Sequence, residues 1–246
     1  MQIHFTQKAS SLESDLDTPV GLFLRLVGEK DGLLLESAET DGRWGRYSII
    51  ATDFVLAASC REGLLHLRME DERLKALHDL SGMPFTEGLR HLMRALFITP
   101  ADKNEAPITR ALYGYLGYGL TGLFEPKLAS VLPPEHGEAS LVLPGTLIIF
   151  DHRYNRINRL SLEMDGKAVQ KLPDTSGNRP LSSPKTGGLS TKDRYISAVT
   201  HAKNEIRQGE VIQVVLSVPF SAPLSGKPFE LYRKLRRINP DRKSVV

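Results

Sequence analysis

Between Pro173 and Ser190 the chain runs through Pro, Ser, Thr, Gly and Asn, with only Leu181 and Leu189 to offer a core. A stretch of that composition cannot bury enough apolar surface to pack, so it divides the polypeptide. The expected organisation is a region over 1–172, a linker over 173–190, and a second region over 191–240. The 246 residues are 41% hydrophobic and 25% charged, which suits globular regions with their own cores. No window approaches the ~20 consecutive apolar residues that a membrane-spanning helix needs, and the N-terminus lacks a basic start followed by an apolar run. The expectation is a cytoplasmic protein with no membrane partner.

Side-chain periodicity sketches the elements. Leu33–Ala38 and Tyr47–Ala51 read as strands joined by a loop, and Phe54–Cys60 with Leu64–Met69 as a hairpin turning at Arg61, Glu62 and Gly63. Phe85, Leu89, Leu92 and Leu96 recur at helical spacing after Pro84, which predicts an amphipathic helix stopped by Pro100. Thr146–Phe150 and Arg156–Met164 read as strands around a turn at His152–Asn155. Beyond the linker, Ser190 is placed to cap a helix whose stripe is Tyr195, Val199, Ala202 and Ile206, ended by Gly209. Alternation of Ile212, Val214, Leu216, Val218 and Phe220 with Gln213 and Ser217 predicts a strand over Val211–Phe220. Pro228 suits the first turn of a last helix with Leu231, Leu235 and Ile238 facing inward. Hairpins with interspersed helices imply the α+β class, an N-terminal antiparallel sheet domain followed by the start of a second α+β domain.

Few chemical motifs survive inspection. The run Gly114, Tyr115, Leu116, Gly117, Tyr118, Gly119 has the wrong spacing for a phosphate loop, and reads as strand glycines approached closely by another backbone or an aromatic ring. His78, His91, His136, His152 and His201 show no repeated ligand spacing, so no metal site follows from them. Ser217 has no visible base partner. Cys60 is the only cysteine, which excludes an internal disulfide; it reads as a small apolar strand residue, the alternative being a reactive thiol. Arg233, Lys234, Arg236 and Arg237 crowd one stretch, but a net charge of +3 gives little reason to expect a nucleic-acid partner, and a solvated helix face is the plainer reading.

Four strings in order carry a resemblance: Asp17-Thr18-Pro19-Val20, Leu34-Leu35-Glu36-Ser37-Ala38-Glu39, Gly45-Arg46-Tyr47-Ser48-Ile49-Ile50, and Gly209 through Ser217. Together they resemble component I of anthranilate synthase, the chorismate-utilising subunit, with aminodeoxychorismate synthase component I as the close alternative. The resemblance implies conversion of chorismate and ammonia to anthranilate and pyruvate in tryptophan biosynthesis, with Mg²⁺ in the complete enzyme and a glutamine amidotransferase subunit supplying ammonia. It also implies feedback by L-tryptophan at a pocket to which Glu36 and Ser37 contribute, with Asn239 and Pro240 beginning the segment that completes it. It places the metal-binding glutamates and the catalytic histidine downstream of 246, so no catalytic or metal residue is expected in this chain, which is expected to be inactive as it stands. Asp241 to Val246 departs from the family and resembles the translation of sequencing-adapter DNA. The expectation is therefore a chorismate-binding region cut short at 240, with 241–246 a non-native tail. A stand-alone amino-acid-binding regulatory domain is the reading from a different class.

Overall fold

The computed structural model describes residues 2–13, 16–28, 30–36, 45–132, 138–175, 192–218 and 226–238. By internal contacts the chain divides into two units, Met1–Asn178 and Arg179–Val246.

The first unit is organised by β3 (Tyr47–Arg61), a 15-residue strand that merges two of the expected strands. It pairs antiparallel with β2 (Leu33–Leu35), with β4 (Leu64–Arg68) and, along most of its length, with β7 (Ala139–Asp151). The register of β3 with β7 shifts between Phe54 and Leu56, a bulge that lets one strand serve two differently facing parts of the sheet. The ladder continues through β8 (Arg156–Met164) to β1 (Ile3–Leu12) and ends on β5 (Leu96–Thr99), which runs parallel to β1. β6 (Tyr113–Leu116) joins β7, and β9 (Lys167–Ala168) joins β8, giving nine strands among the described residues. The turn at His152–Asn155 is where the sequence places it, with Asn155 at φ 48°.

Apolar residues on the sheet and on α2 (Phe85–Ala95) form the main core: Phe5, Val55, Leu56, Leu65, Leu74, Phe85 and Leu92 are essentially without solvent exposure. α2 does not run on to Pro100. It ends at Ala95, and Leu96 turns extended so that Leu96–Thr99 can pair with Ile3–Thr6. Backbone hydrogen bonds to β1 outweigh another helical turn. A 3₁₀ helix over Glu72–Leu80, which periodicity missed, starts where the Asp71 carboxylate accepts from the Arg73 backbone N–H and puts Leu74 and Leu77 into the same core. α1 (Pro19–Leu26) is capped by Thr18, whose hydroxyl accepts from Gly21 N at 3.1 Å, and buries Leu22 and Phe23. A short helix, α3 (Thr121–Phe124), follows β6.

Gly114 sits in β6 as expected of a glycine under close backbone approach. Its φ is +153°, and a Cβ there would stand 1.9 Å from the Ser140 carbonyl oxygen of β7. Cys60 is buried in β3, and burial pushes its thiol up, away from the reactive thiolate.

The second unit contains α4 (Lys192–Gln208) and α5 (Pro228–Ile238), and none of their described residues is buried. Gly209 ends α4 with φ +83°, and Gly209 and Glu210 N–H groups donate back to Ile206 and Glu205. Two expectations are corrected here. Val211–Val218 forms no strand: Ile212 is 98% and Val215 80% exposed, and no described backbone pairs with the segment. Alternation supplies two faces, but a strand exists only when its N–H and C=O groups find a neighbour. Of the three α5 residues expected to face inward, Leu231 and Ile238 are exposed and Leu235 is half-buried. Ser190, Phe220 and the tail 241–246 lie outside the described residues, as does most of the linker. The described architecture is α+β.

Candidate functional site

Glu36 follows directly on β2, whose last residue, Leu35, pairs with Ile49 of β3; the chain therefore leaves the sheet towards the start of β3. Glu36 is half-buried. Ser37, Asn239 and Pro240 lie outside the described residues, so of the four expected pocket residues only Glu36 is placed.

What the fold assembles at this end of the sheet is a polar cluster from the first residues of β3 and the last of β7. Register sets it up: Tyr47 pairs with Asp151 and Ser48 with Phe150. The Arg46 guanidinium donates to both Asp151 oxygens, Nε at 3.1 Å to each and NH2 at 2.6 Å to Oδ2. It also lies 4.7 Å from the Tyr47 ring centroid and 5.0 Å from that of Tyr154. The hydrogen bond to Asp151 raises the Arg46 pKa. Burial works to raise the Asp151 carboxyl, but the hydrogen bond and charge of Arg46 win and hold it below the ordinary carboxylate range. Next to this pair, Ser48 Oγ and His152 Nε2 are 2.7 Å apart, and the His152 backbone N–H donates to Arg46 O. A serine beside a histidine has the atoms of a nucleophile and a base, but Ser48 is 1% exposed and no substrate carbonyl can reach its hydroxyl. The pair ties strand ends together.

The cluster borders a cavity of about 330 Å³ whose lining includes Arg46, Tyr47, Asp151, Asn158, Thr109 and Glu105. Burial, then the neighbouring Asp102, push the Glu105 carboxyl up, against a smaller opposing effect of Arg110. Glu105 Oε2 is buried without a hydrogen-bond partner. The cavity thus presents one cation and several acceptors, a lining that suits a ligand carrying N–H donors. Arg46 belongs to one of the four strings, but Asp151, His152 and Glu105 are far away in sequence; strand register brings in Asp151 and the adjoining His152, and the fold brings Glu105 to the same cavity. Among the described residues no group of three or more His, Cys, Asp and Glu side chains is arranged to hold a metal ion.

A family model described as chorismate binding enzyme matches residues 66–246, most of the chain. The chain belongs to that family. The match starts in β4 and runs through both units. Among curated relatives of this family member, "Anthranilate synthase component 1" of Thermus thermophilus is 28% identical over 92% of this chain and 50% of its own length. The protein of the same name from Cereibacter sphaeroides is 30% identical over 93% of this chain and 50% of its own. The crystal structure of anthranilate synthase component I from Streptococcus pneumoniae matches with a TM-score of 0.47 at 22% identity, covering 94% of this chain and 54% of that one. The resemblance read from the four strings is borne out by these relatives, and the chain spans about half of their length. No helix of the described residues is long and apolar enough to cross a membrane.

Proposed function

We propose that this chain is the front part of a chorismate-utilising enzyme of the anthranilate synthase component I type, joining chorismate with ammonia and eliminating pyruvate to give anthranilate. The observation that carries the reading is the continuous family match from 66 to 246, supported by curated relatives of that one name along 92% of the chain. Ammonia from a glutamine amidotransferase subunit, tryptophan biosynthesis and tryptophan feedback belong to the same proposal. A hard divalent cation would neutralise the substrate's negative charge in such a reaction, but the described residues offer no ligand set for it. In the effector reading, Glu36, Ser37, Asn239 and Pro240 contribute to the tryptophan pocket; of these Glu36 stands where the chain leaves β2, and the Arg46–Asp151 pair keeps the start of β3 in place.

The test is product analysis. The gene extended to the length of its relatives, given chorismate, ammonium and Mg²⁺, is expected to form fluorescent anthranilate, and the 246-residue chain none. Aminodeoxychorismate as the product would replace this reading with the folate-pathway relative. Ser37→Phe in the extended enzyme is expected to abolish tryptophan inhibition and leave turnover intact, because feedback acts by differential binding to two states. Inhibition unchanged by that substitution would remove the effector assignment.

A further inference from the structure

A second cavity of the first unit, about 400 Å³, lies at the other end of the β2–β3 pair. Its floor is the sheet: Thr52 pairs with Thr146 and Ile148 with Arg159, and Thr146 and Ile148 point away from the face that Leu147 and Ile149 bury. Helix α1 makes one wall with Leu22, Arg25 and Leu26, and the end of β1 adds Leu12 and Glu13. The opposite wall is the segment after β9, fastened by Leu172 N to Phe54 O at 2.7 Å and by Thr175 N and Oγ1, each 2.7 Å from Asp31 Oδ2. Glu36 leaves β2 at its far end, five residues from Asp31, or about 16 Å of extended chain, so this cavity is separate from the one at Arg46.

Its charges are mixed, and most are already spoken for. Asp17 binds Arg25 at 2.8 Å, Lys171 lies 3.7 Å from both Asp53 and Asp174, and Asp31 accepts from Thr175. Among the described residues, no hydrogen bond or ion pair engages the side chains of Lys30, Arg159 or Glu13. Lys30 and Arg159 are thus two cations with no acid on them, in a lining that holds five carboxylates (Glu13, Asp17, Asp31, Asp53 and Asp174) against four cations in all, above a floor and wall of Leu12, Leu22, Leu26 and Ile148. The volume falls at the lower end of the range of small-molecule sites, ~300–1,000 Å³. A guanidinium fork matches a carboxylate with two parallel N–H donors. We propose that this cavity binds a small amphipathic carboxylic acid, its carboxylate on Arg159 and Lys30 and its apolar body against Leu12, Leu22, Leu26 and Ile148.

The experiment titrates the full 246-residue chain with 3-phenylpropionate by ligand-observed NMR at low salt, beside 3-phenylpropan-1-ol and inorganic phosphate. Binding of the acid is expected, with the alcohol at least tenfold weaker, because the charge-assisted hydrogen bonds are lost. Arg159→Met, on an exposed strand position, is expected to weaken the acid roughly tenfold or more with the thermal midpoint unchanged, and Arg159→Lys, which keeps the charge but not the fork, to recover only part of the affinity. Lys30→Gln is expected to weaken it severalfold. Equal binding of acid and alcohol, an Arg159→Met chain that binds as tightly as the parent, or no binding at millimolar acid would each overturn the proposal. Phosphate competing as well as the acid would overturn it in favour of a simple anion site.

Discussion

Helices α2 and α5 are each eleven residues long, follow or begin with a proline, and space their apolar residues to line one face. α2 buries Phe85, Gly88, Leu92 and Ala95 against the sheet, whereas α5 buries nothing. The same pattern thus has two outcomes. Spacing determines which face of a helix is able to pack; whether it packs depends on a surface the helix does not itself supply. The first unit provides that surface through a nine-stranded sheet whose strands come from all along 1–178, and among the described residues the second unit has no strand to offer.

The largest test of this contrast is truncation of matched apolar residues. Phe85→Ala is expected to cost about 3–5 kcal/mol in urea unfolding of the first unit. Ile212→Ala, at a side chain 98% exposed, should stay within about 0.5 kcal/mol. Comparable losses at the two positions would break the contrast, since they would mean that Ile212 is covered in solution.

Glycines sharpen it further. Gly114→Ala combines an unfavourable φ with a Cβ driven into the Ser140 carbonyl, and is expected to cost about 2–4 kcal/mol. Gly209 has φ +83° but nothing within 4 Å of an added Cβ, so Gly209→Ala should cost only about 1 kcal/mol, read as helix content of α4 by circular dichroism. Similar effects at both sites would show that the backbone angle, and not the sheet's close approach, sets the cost.

Asp71 tests how the first unit locks its edge. Its carboxylate takes Arg73 Nε at 2.8 Å and NH2 at 2.7 Å and the Gln170 N–H at 2.9 Å, while Arg73 also donates to Met164 O and Ala168 O. The Arg73 hydrogen bonds hold the Asp71 carboxyl far below the usual carboxylate range. A group whose folded pKa is depressed contributes stability above its unfolded value, ~3.9, and loses it as pH falls below that value. Asp71→Asn should therefore cost about 1–3 kcal/mol at pH 7 and progressively less below pH ~4, measured by urea midpoints across pH, with Arg73's partial exposure keeping the figure below that of a fully buried pair. A pH-independent loss would make the contact one of shape alone.

The smallest effect is expected at the Glu230–Arg233 pair on α5, exposed and one turn apart. Glu230→Gln should lower helix content by no more than ~0.5 kcal/mol, and less at high salt.

Local chemistry was readable wherever a short stretch settles its own conformation. The hairpin at Arg61–Gly63, the helix after Pro84 and the stop at Gly209 all follow from nearby residues. The four strings also pointed to the family that the chain belongs to. Three things were not readable. β1 and β5 pair in parallel across more than 90 residues, so nothing local marks Leu96–Thr99 as strand rather than helix end. The Arg46–Asp151 and Ser48–His152 contacts each join residues over 100 apart. The fate of Val211–Val218 depends on a neighbouring backbone, and its own alternation says only which side chains would share a face. By itself the sequence determined the turns, the stop at Gly209 and the apolar face of α2, because these rest on φ preferences and on interactions within a few residues, and the order of four short strings pointed to the family. Strand pairing, the polar cluster at the end of β3 and which apolar faces are covered were decided by the tertiary structure, because a hydrogen-bond ladder or a buried surface requires a partner that local sequence cannot name.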